Sequence, residues 1–208
     1  MNKNGFTLVE LMVGLVISML CMITMLMLFK QVSHISLQSN QDAEYDAQLQ
    51  TGMLIVQKLI QNAGYGSGAA NDIEIGTYLS RPAVFWRYVE DIDASPIVYI
   101  CQGVSEQITT DNNQKVHRLI VLKKDNCGNL NAVSSGTWQH QQTIIAIRNQ
   151  SDSALFQYAM SASDCRPFGI DKNNFGIRQI TLTAPRQYLT GTGENIQTKV
   201  CLNNIKTA

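Results

Sequence analysis

One acid stands alone in an apolar run. From Phe6 to Phe29 the chain reads FTLVELMVGLVISMLCMITMLMLF, and Glu10 is its only ionisable side chain. A carboxylate inside a membrane segment costs about 2.5–3.5 kcal/mol on insertion scales, and such residues are by default functional, with a partner to be named. Lys3 lies seven residues upstream, about two helical turns away and off the right face, so nothing nearby in the chain is placed to pair with Glu10. The position points to a positive group on another molecule, or to one created when the chain is processed. The bland alternative is a carboxylate near the headgroups that snorkels to water.

Other residues capable of chemistry are scattered. His34, His117 and His140 form no HExxH and no pair at metal-ligand spacing. No GxSxG occurs, and Gly191-Thr192-Gly193 reads as a lone turn, not a phosphate loop. Asp111-Asn112-Asn113 and Asp171-Lys172-Asn173-Asn174 offer oxygen ligands but lack the Gly and distal Glu of an EF-hand loop, so they read as polar turns. No catalytic residue, metal site or cofactor is expected, and the chain does not read as an enzyme.

Cys21 lies within the apolar run and reads as a buried, inert core residue. Cys101, Cys127, Cys165 and Cys201 lie beyond it, with spacings of 26, 38 and 36 that exclude CxxC redox and zinc-knuckle arrangements. An even count in an oxidising compartment suggests two disulfides. Three connectivities are open; the sequential one, Cys101–Cys127 with Cys165–Cys201, is the expectation, against an alternative of free buried thiols.

The elements that position these residues follow from composition and periodicity. The 208 residues carry 16 Lys+Arg and 16 Asp+Glu, which leaves no basic surplus to attract a nucleic-acid backbone. Without Lys3, Lys30 and Glu10, residues 31–208 keep 14 basic against 15 acidic groups, and no nucleic-acid binding is expected. Five of the eight Met fall between Met12 and Met27, and no charge interrupts residues 11–29. About 20 apolar residues at 1.5 Å rise cross a ~30 Å hydrocarbon core. A cleaved secretory signal would have a shorter apolar run and a small-x-small site after it; a lipoprotein signal would have a small residue where Leu20 stands. A membrane helix is therefore expected, and the positive-inside rule does not orient it, with Lys3 on one side and Lys30 on the other.

Past Lys30 the chain turns polar but keeps helical spacing. Leu49, Met53, Val56, Ile60 and Ala63 recur at steps of 4, 3, 4 and 3, an apolar stripe suited to docking on a sheet. No Pro precedes Pro82, and Gly64 and Gly66 supply a stop. One helix from Phe6 to Ala63 is predicted, about 87 Å long if continuous; Gly14 would serve it as a bend or as a site of close helix approach. Seven short β-branched and aromatic runs follow: 83–88, 97–101, 116–122, 143–147, 154–159, 177–183 and 199–202. The runs 143–147 and 154–159 make the best hairpin candidate. The predicted class is α+β, a long N-terminal helix packed on a mainly antiparallel sheet domain. Residues 1–5 form a leader, 6–29 the membrane half of the helix, 30–63 its amphipathic half and 64–208 a β-rich globular domain.

Lys3-Asn4-Gly5-Phe6-Thr7-Leu8-Val9-Glu10 resembles the class III signal of type IV prepilins: a short basic leader ending in Gly, then Phe, a hydrophobic run, and Glu as fifth residue of the cut chain. The resemblance implies cleavage between Gly5 and Phe6 by a membrane peptidase that also methylates the new amine on Phe6. It implies further that Glu10 sets subunit register by pairing with the amine of a neighbour. Many major pilins have a Pro in this segment; this chain has none. Leu54-Ile55-Val56-Gln57-Lys58-Leu59-Ile60-Gln61-Asn62-Ala63-Gly64-Tyr65-Gly66 is similar to the end of the first helix in PilW-type minor pilins, with Gln61 and Asn62 around the usual basic position and Gly66 one residue early. That likeness implies a low-abundance subunit of a priming or tip complex in a Gram-negative inner membrane, with its C-terminal domain periplasmic before assembly and on the pilus afterwards. Its implied partners are other minor pilins, the major pilin, the prepilin peptidase/methyltransferase and the inner-membrane assembly platform. The rival readings are a type II secretion pseudopilin of the J type and a tip-located module that binds DNA or a host surface.

Overall fold

The structure, a computed structural model, describes residues 7–124, 127–128, 132–162, 178–185 and 195–205. Among these residues there is one helix, α1 (Leu8–Ile60), followed by a short 3-10 turn (Ala70–Asp72) and eight strands: β1 (Ile73–Tyr78), β2 (Arg81–Val89), β3 (Tyr99–Asp111), β4 (Gln114–Lys124), β5 (Gln139–Arg148), β6 (Gln157–Ala162), β7 (Arg178–Pro185) and β8 (Asn195–Cys201). Every strand pairing is antiparallel. This is the α+β class expected from the switch in periodicity. The chain divides into two compact units, Met1–Glu44 and Tyr45–Ala208, a boundary inside α1.

From Leu8 on, the first unit is helix. α1 runs unbroken through Gly14, where a Cβ would meet nothing. The second unit holds a five-stranded sheet in the order β1-β2-β3-β4-β5 and a three-stranded sheet in the order β6-β7-β8. Strand alternation sorts the side chains of the larger sheet onto two faces. On one, Val84, Trp86, Val104, Leu119 and Ile147 join Leu49, Met53, Val56, Ile60 and Ala63 of the helix stripe, together with Ile180, Leu182 and Val200 of the smaller sheet, in one core. Gly52 allows the close approach, because a Cβ there would run into the Ile145 side chain. The opposite face packs Ala83, Phe85, Ile120 and Leu122 under Val133 and Trp138, which belong to the β4–β5 connection. Cys101 and Cys127 are disulfide-bonded, with Cα atoms 5.8 Å apart, and fasten that connection to β3.

Three local expectations are corrected. The helix ends at Ile60, not Ala63. The chain leaves the helix in a series of turns in which Gly64 (φ +75°) and Gly66 (φ +83°) occupy the left-handed region and the Gly64 N–H bonds the Arg87 carbonyl, 2.9 Å. The predicted 143–147/154–159 hairpin does not form: β5 pairs with β4, and β6 begins the second sheet with β7. The connecting backbone is claimed instead by a buried carboxylate, since Glu106 accepts the N–H groups of Leu155 (2.8 Å) and Phe156 (3.1 Å). Finally, β1 was not anticipated, and β3 extends ten residues beyond Cys101 through a stretch where the buried polar pair Ser105 and Glu106 hides the apolar pattern.

Two tight hairpins define the larger sheet. Asn112 and Asn113 (φ 47° and 64°) turn β3 into β4, and Leu79 and Ser80 (φ 48° and 63°) turn β1 into β2. The first is the polar turn read at Asp111-Asn112-Asn113. Asn tolerates this region; Leu does not, and Leu79 stands exposed at the turn.

In urea denaturation of the full chain in detergent, Leu79→Asn with Ser80→Gly should stabilise the second unit by about 1 kcal/mol, because both replacements suit positive φ. Replacing both Cys101 and Cys127 by Ser should cost about 3.5 kcal/mol in the chain-entropy model for a loop of this length. The same double variant should alter the fluorescence of Trp138, whose ring lies 4.7 Å from that of Phe85 beneath the fastened connection.

Candidate functional site

The N-terminus of α1 is built around Glu10. Thr7 is the last residue before the helix and Glu10 the third residue within it. The Thr7 N–H and hydroxyl each donate to Glu10 Oε2 at 3.0 Å, and the Glu10 N–H reaches back to Thr7 Oγ1 at 3.4 Å. This is the reciprocal Thr-x-x-Glu arrangement that satisfies two of the four orphan N–H groups of a helix start, with the carboxylate at the positive end of the helix dipole. Thr7 thus supplies Glu10 with neutral hydrogen bonds, beside the charged partner that the sequence reading looks for on another molecule or in the processed chain. The signal is present in the sequence as Thr7-Leu8-Val9-Glu10 ahead of an apolar run, a neutral pattern that no charge pairing reveals. Both bonds from Thr7 go to Oε2, so one carboxylate oxygen is enough to orient the group at the helix start.

Beyond this cap the helix offers only apolar surface. Every large apolar side chain from Leu8 to Phe29 is at least half exposed, from 50% at Ile23 to 74% at Leu8. The core helix of a soluble protein would have one face buried. Each of these side chains gains about 1.5–3 kcal/mol when taken out of water, so the segment demands an apolar environment or apolar neighbours. Its length, about 33 Å from Leu8 to Phe29, is enough to cross a membrane. Gly5 and Phe6, the predicted cleavage and methylation residues, lie outside the described residues.

The other residues singled out in the sequence fall elsewhere. Leu49, Met53, Val56, Ile60 and Ala63 are all buried in the core. Cys201 is disulfide-bonded, while Cys165, its expected partner, lies outside the described residues, as do Gly191-Thr192-Gly193 and Asp171-Lys172-Asn173-Asn174. Cys21 is a free thiol on the exposed apolar helix, not a buried one. His34 and His140 are exposed, and His117 is buried. Among the described residues no group of three His, Cys, Asp or Glu is arranged to hold a metal.

Thr7→Ala should fray the first turn of α1, at a cost of about 0.5–2 kcal/mol. Amide exchange at Glu10 would quicken in detergent micelles, whereas Thr7→Ser would leave it as in the parent chain.

No curated protein and no solved structure matches the chain. Residues 1–26 match the prokaryotic N-terminal methylation motif, the segment that contains Thr7, Glu10 and most of the exposed apolar helix. The capped carboxylate, the apolar helix and this motif together support a membrane-anchored protein of the type IV pilin or pseudopilin kind, and they suggest a structural role in place of an enzymatic one.

Proposed function

We propose that this chain is a minor pilin of a type IV pilus, cut between Gly5 and Phe6, methylated on the Phe6 amine, and incorporated in the initiation or tip complex that primes assembly. The observation that carries the reading is a carboxylate held at the N-terminus of a helix whose apolar surface no described part of the chain covers.

Cleavage after Gly5 leaves a positive amine one residue before Thr7. Thr7 holds Glu10 Oε2, and the carboxylate pairs with the corresponding amine of an adjoining subunit. In apolar surroundings that pair sets register, because a subunit displaced along the stack leaves a charge buried alone, at a cost of about 3–5 kcal/mol. The exposed apolar helix supplies the non-directional part of assembly, and the Tyr45–Ala208 unit selects neighbouring minor pilins. The PilW-type reading rests on Leu54–Gly66, the end of α1 and the glycine turn after it. A J-type pseudopilin of a type II secretion system carries the same motif and is separated by the company the subunit keeps.

Two substitutions divide charge from capping. Glu10→Gln keeps an oxygen for Thr7 but no charge, and Glu10→Ala removes both. If the ion pair sets register, both variants insert in the membrane and both drop at least tenfold in sheared pilus fractions; Glu10→Gln assembling like the parent would reduce Glu10 to a helix cap. Gly5→Arg should leave the leader attached, seen by mass as a chain five residues longer. Minor pilins co-purifying from pili support the pilus reading, and lost protein export on deletion without loss of pili would favour the pseudopilin.

A further inference from the structure

Glu106 is a buried acid of the five-stranded sheet, and its partners have one thing in common. Glu106 on β3 and His117 on β4 are both fully buried on the core face of the five-stranded sheet, where Glu106 lies opposite Leu119 and His117 opposite Ile147. Glu106 Oε1 is bonded to His117 Nδ1, and Glu106 Oε2 accepts the N–H groups of Leu155 and Phe156. His117 Nε2 lies 3.0 Å from the Ser151 carbonyl oxygen. Nε2 is placed to donate to the Ser151 carbonyl, and Nδ1 and Glu106 Oε1 share one proton between them, so both ring nitrogens and both carboxylate oxygens have partners. A buried pair matched on every side is the kind that withstands the loss of water.

Every backbone partner of this pair lies within residues 151–156, the connection from the five-stranded to the three-stranded sheet. Weaker exposed contacts hold the same stretch: Lys115 Nζ bonds the Asp152 carboxylate at 2.6 Å and holds its pKa below the ordinary aspartate value, and Arg81 donates to the Asp152 carbonyl at 2.6 Å. Tyr158, two residues further on in β6, has a fully buried hydroxyl near Glu106; burial and that carboxylate push its pKa up and keep it protonated. Among the described residues no strand of one sheet pairs with a strand of the other. Each ladder is thus complete in itself, and the two meet through side chains and this connection.

We propose that the Glu106–His117 pair is a clasp that docks the three-stranded sheet β6–β8 on the five-stranded sheet, and that breaking it lets the smaller sheet open as a unit while the larger one stays closed. A buried charge that loses its partner penalises only the docked arrangement, because water solvates it once the junction opens.

The test is hydrogen exchange by mass spectrometry on the full chain in detergent, comparing Glu106→Gln with the parent and with Lys115→Ala, which breaks only the exposed pair. Exchange should quicken at least tenfold across 157–162, 178–185 and 195–201 in Glu106→Gln, with less than a twofold change across 73–89. Lys115→Ala should leave both regions near the parent. Equal acceleration in both sheets, or none in either, overturns the clasp. Should Glu106→Gln not fold, His117→Gln, which keeps the carboxylate and its bonds to Leu155 and Phe156, must show the same division; failure of both to fold also overturns it, since the pair would then hold the entire unit.

Discussion

The constraint on which this molecule turns is the apolar surface of the first half of α1. About twenty side chains that water penalises are displayed all round a helix, with no described part of the chain laid against them. A surface of that kind calls for a bilayer or for apolar neighbours. In the function proposed above, Glu10 gives that surface a direction. Apolar contact tolerates sliding, whereas a carboxylate in an apolar setting has one best position relative to a cation. The cap formed with Thr7 reduces the number of ways the carboxylate can point, so part of the entropy of ordering it is already lost before any neighbour arrives.

The second unit solves a different problem, which is how one sheet can be buried on both sides in a small domain. One face takes the C-terminal part of α1 and the second sheet; the other takes the β4–β5 connection, fastened by the Cys101–Cys127 disulfide. Buried charge is used sparingly and always to pin a segment that lacks a ladder of its own. Arg87 and Asp72 form a buried pair whose carboxylate also accepts from Ser67 and the Ala69 N–H, which fixes the turn between helix and sheet. Glu106 and His117 do the same for the connection at 151–156. In both places the backbone must cross the core edge without strand pairing, and buried N–H groups there need an acceptor from a side chain.

Local chemistry was readable wherever neighbours in sequence decide the outcome. The apolar run, the stripe Leu49 to Ala63, the polar turn at Asn112-Asn113 and most strands follow from periodicity and turn preference, which act over a few residues. The cap at Thr7 and Glu10 belongs to the same class and was legible from a spacing of three. Strand partnership was not. The stretches 143–147 and 154–159 have the composition of a hairpin, but they were parted by Glu106, about fifty residues away in the chain. Nothing in the local pattern around Leu155 reports that a distant carboxylate will take its N–H.

By itself, the order of amino acids determined a membrane-compatible helix opening on a prepilin-like signal, its amphipathic continuation, and an antiparallel β domain after it, because hydrophobicity and short-range spacing are properties of adjacent residues. Only the tertiary structure decided that the strands form two sheets instead of one, that His117 and Glu106 meet, and that β1 exists. Those outcomes depend on which buried polar groups find each other, and that pairing is a matter of distance in space, for which separation along the chain gives no measure.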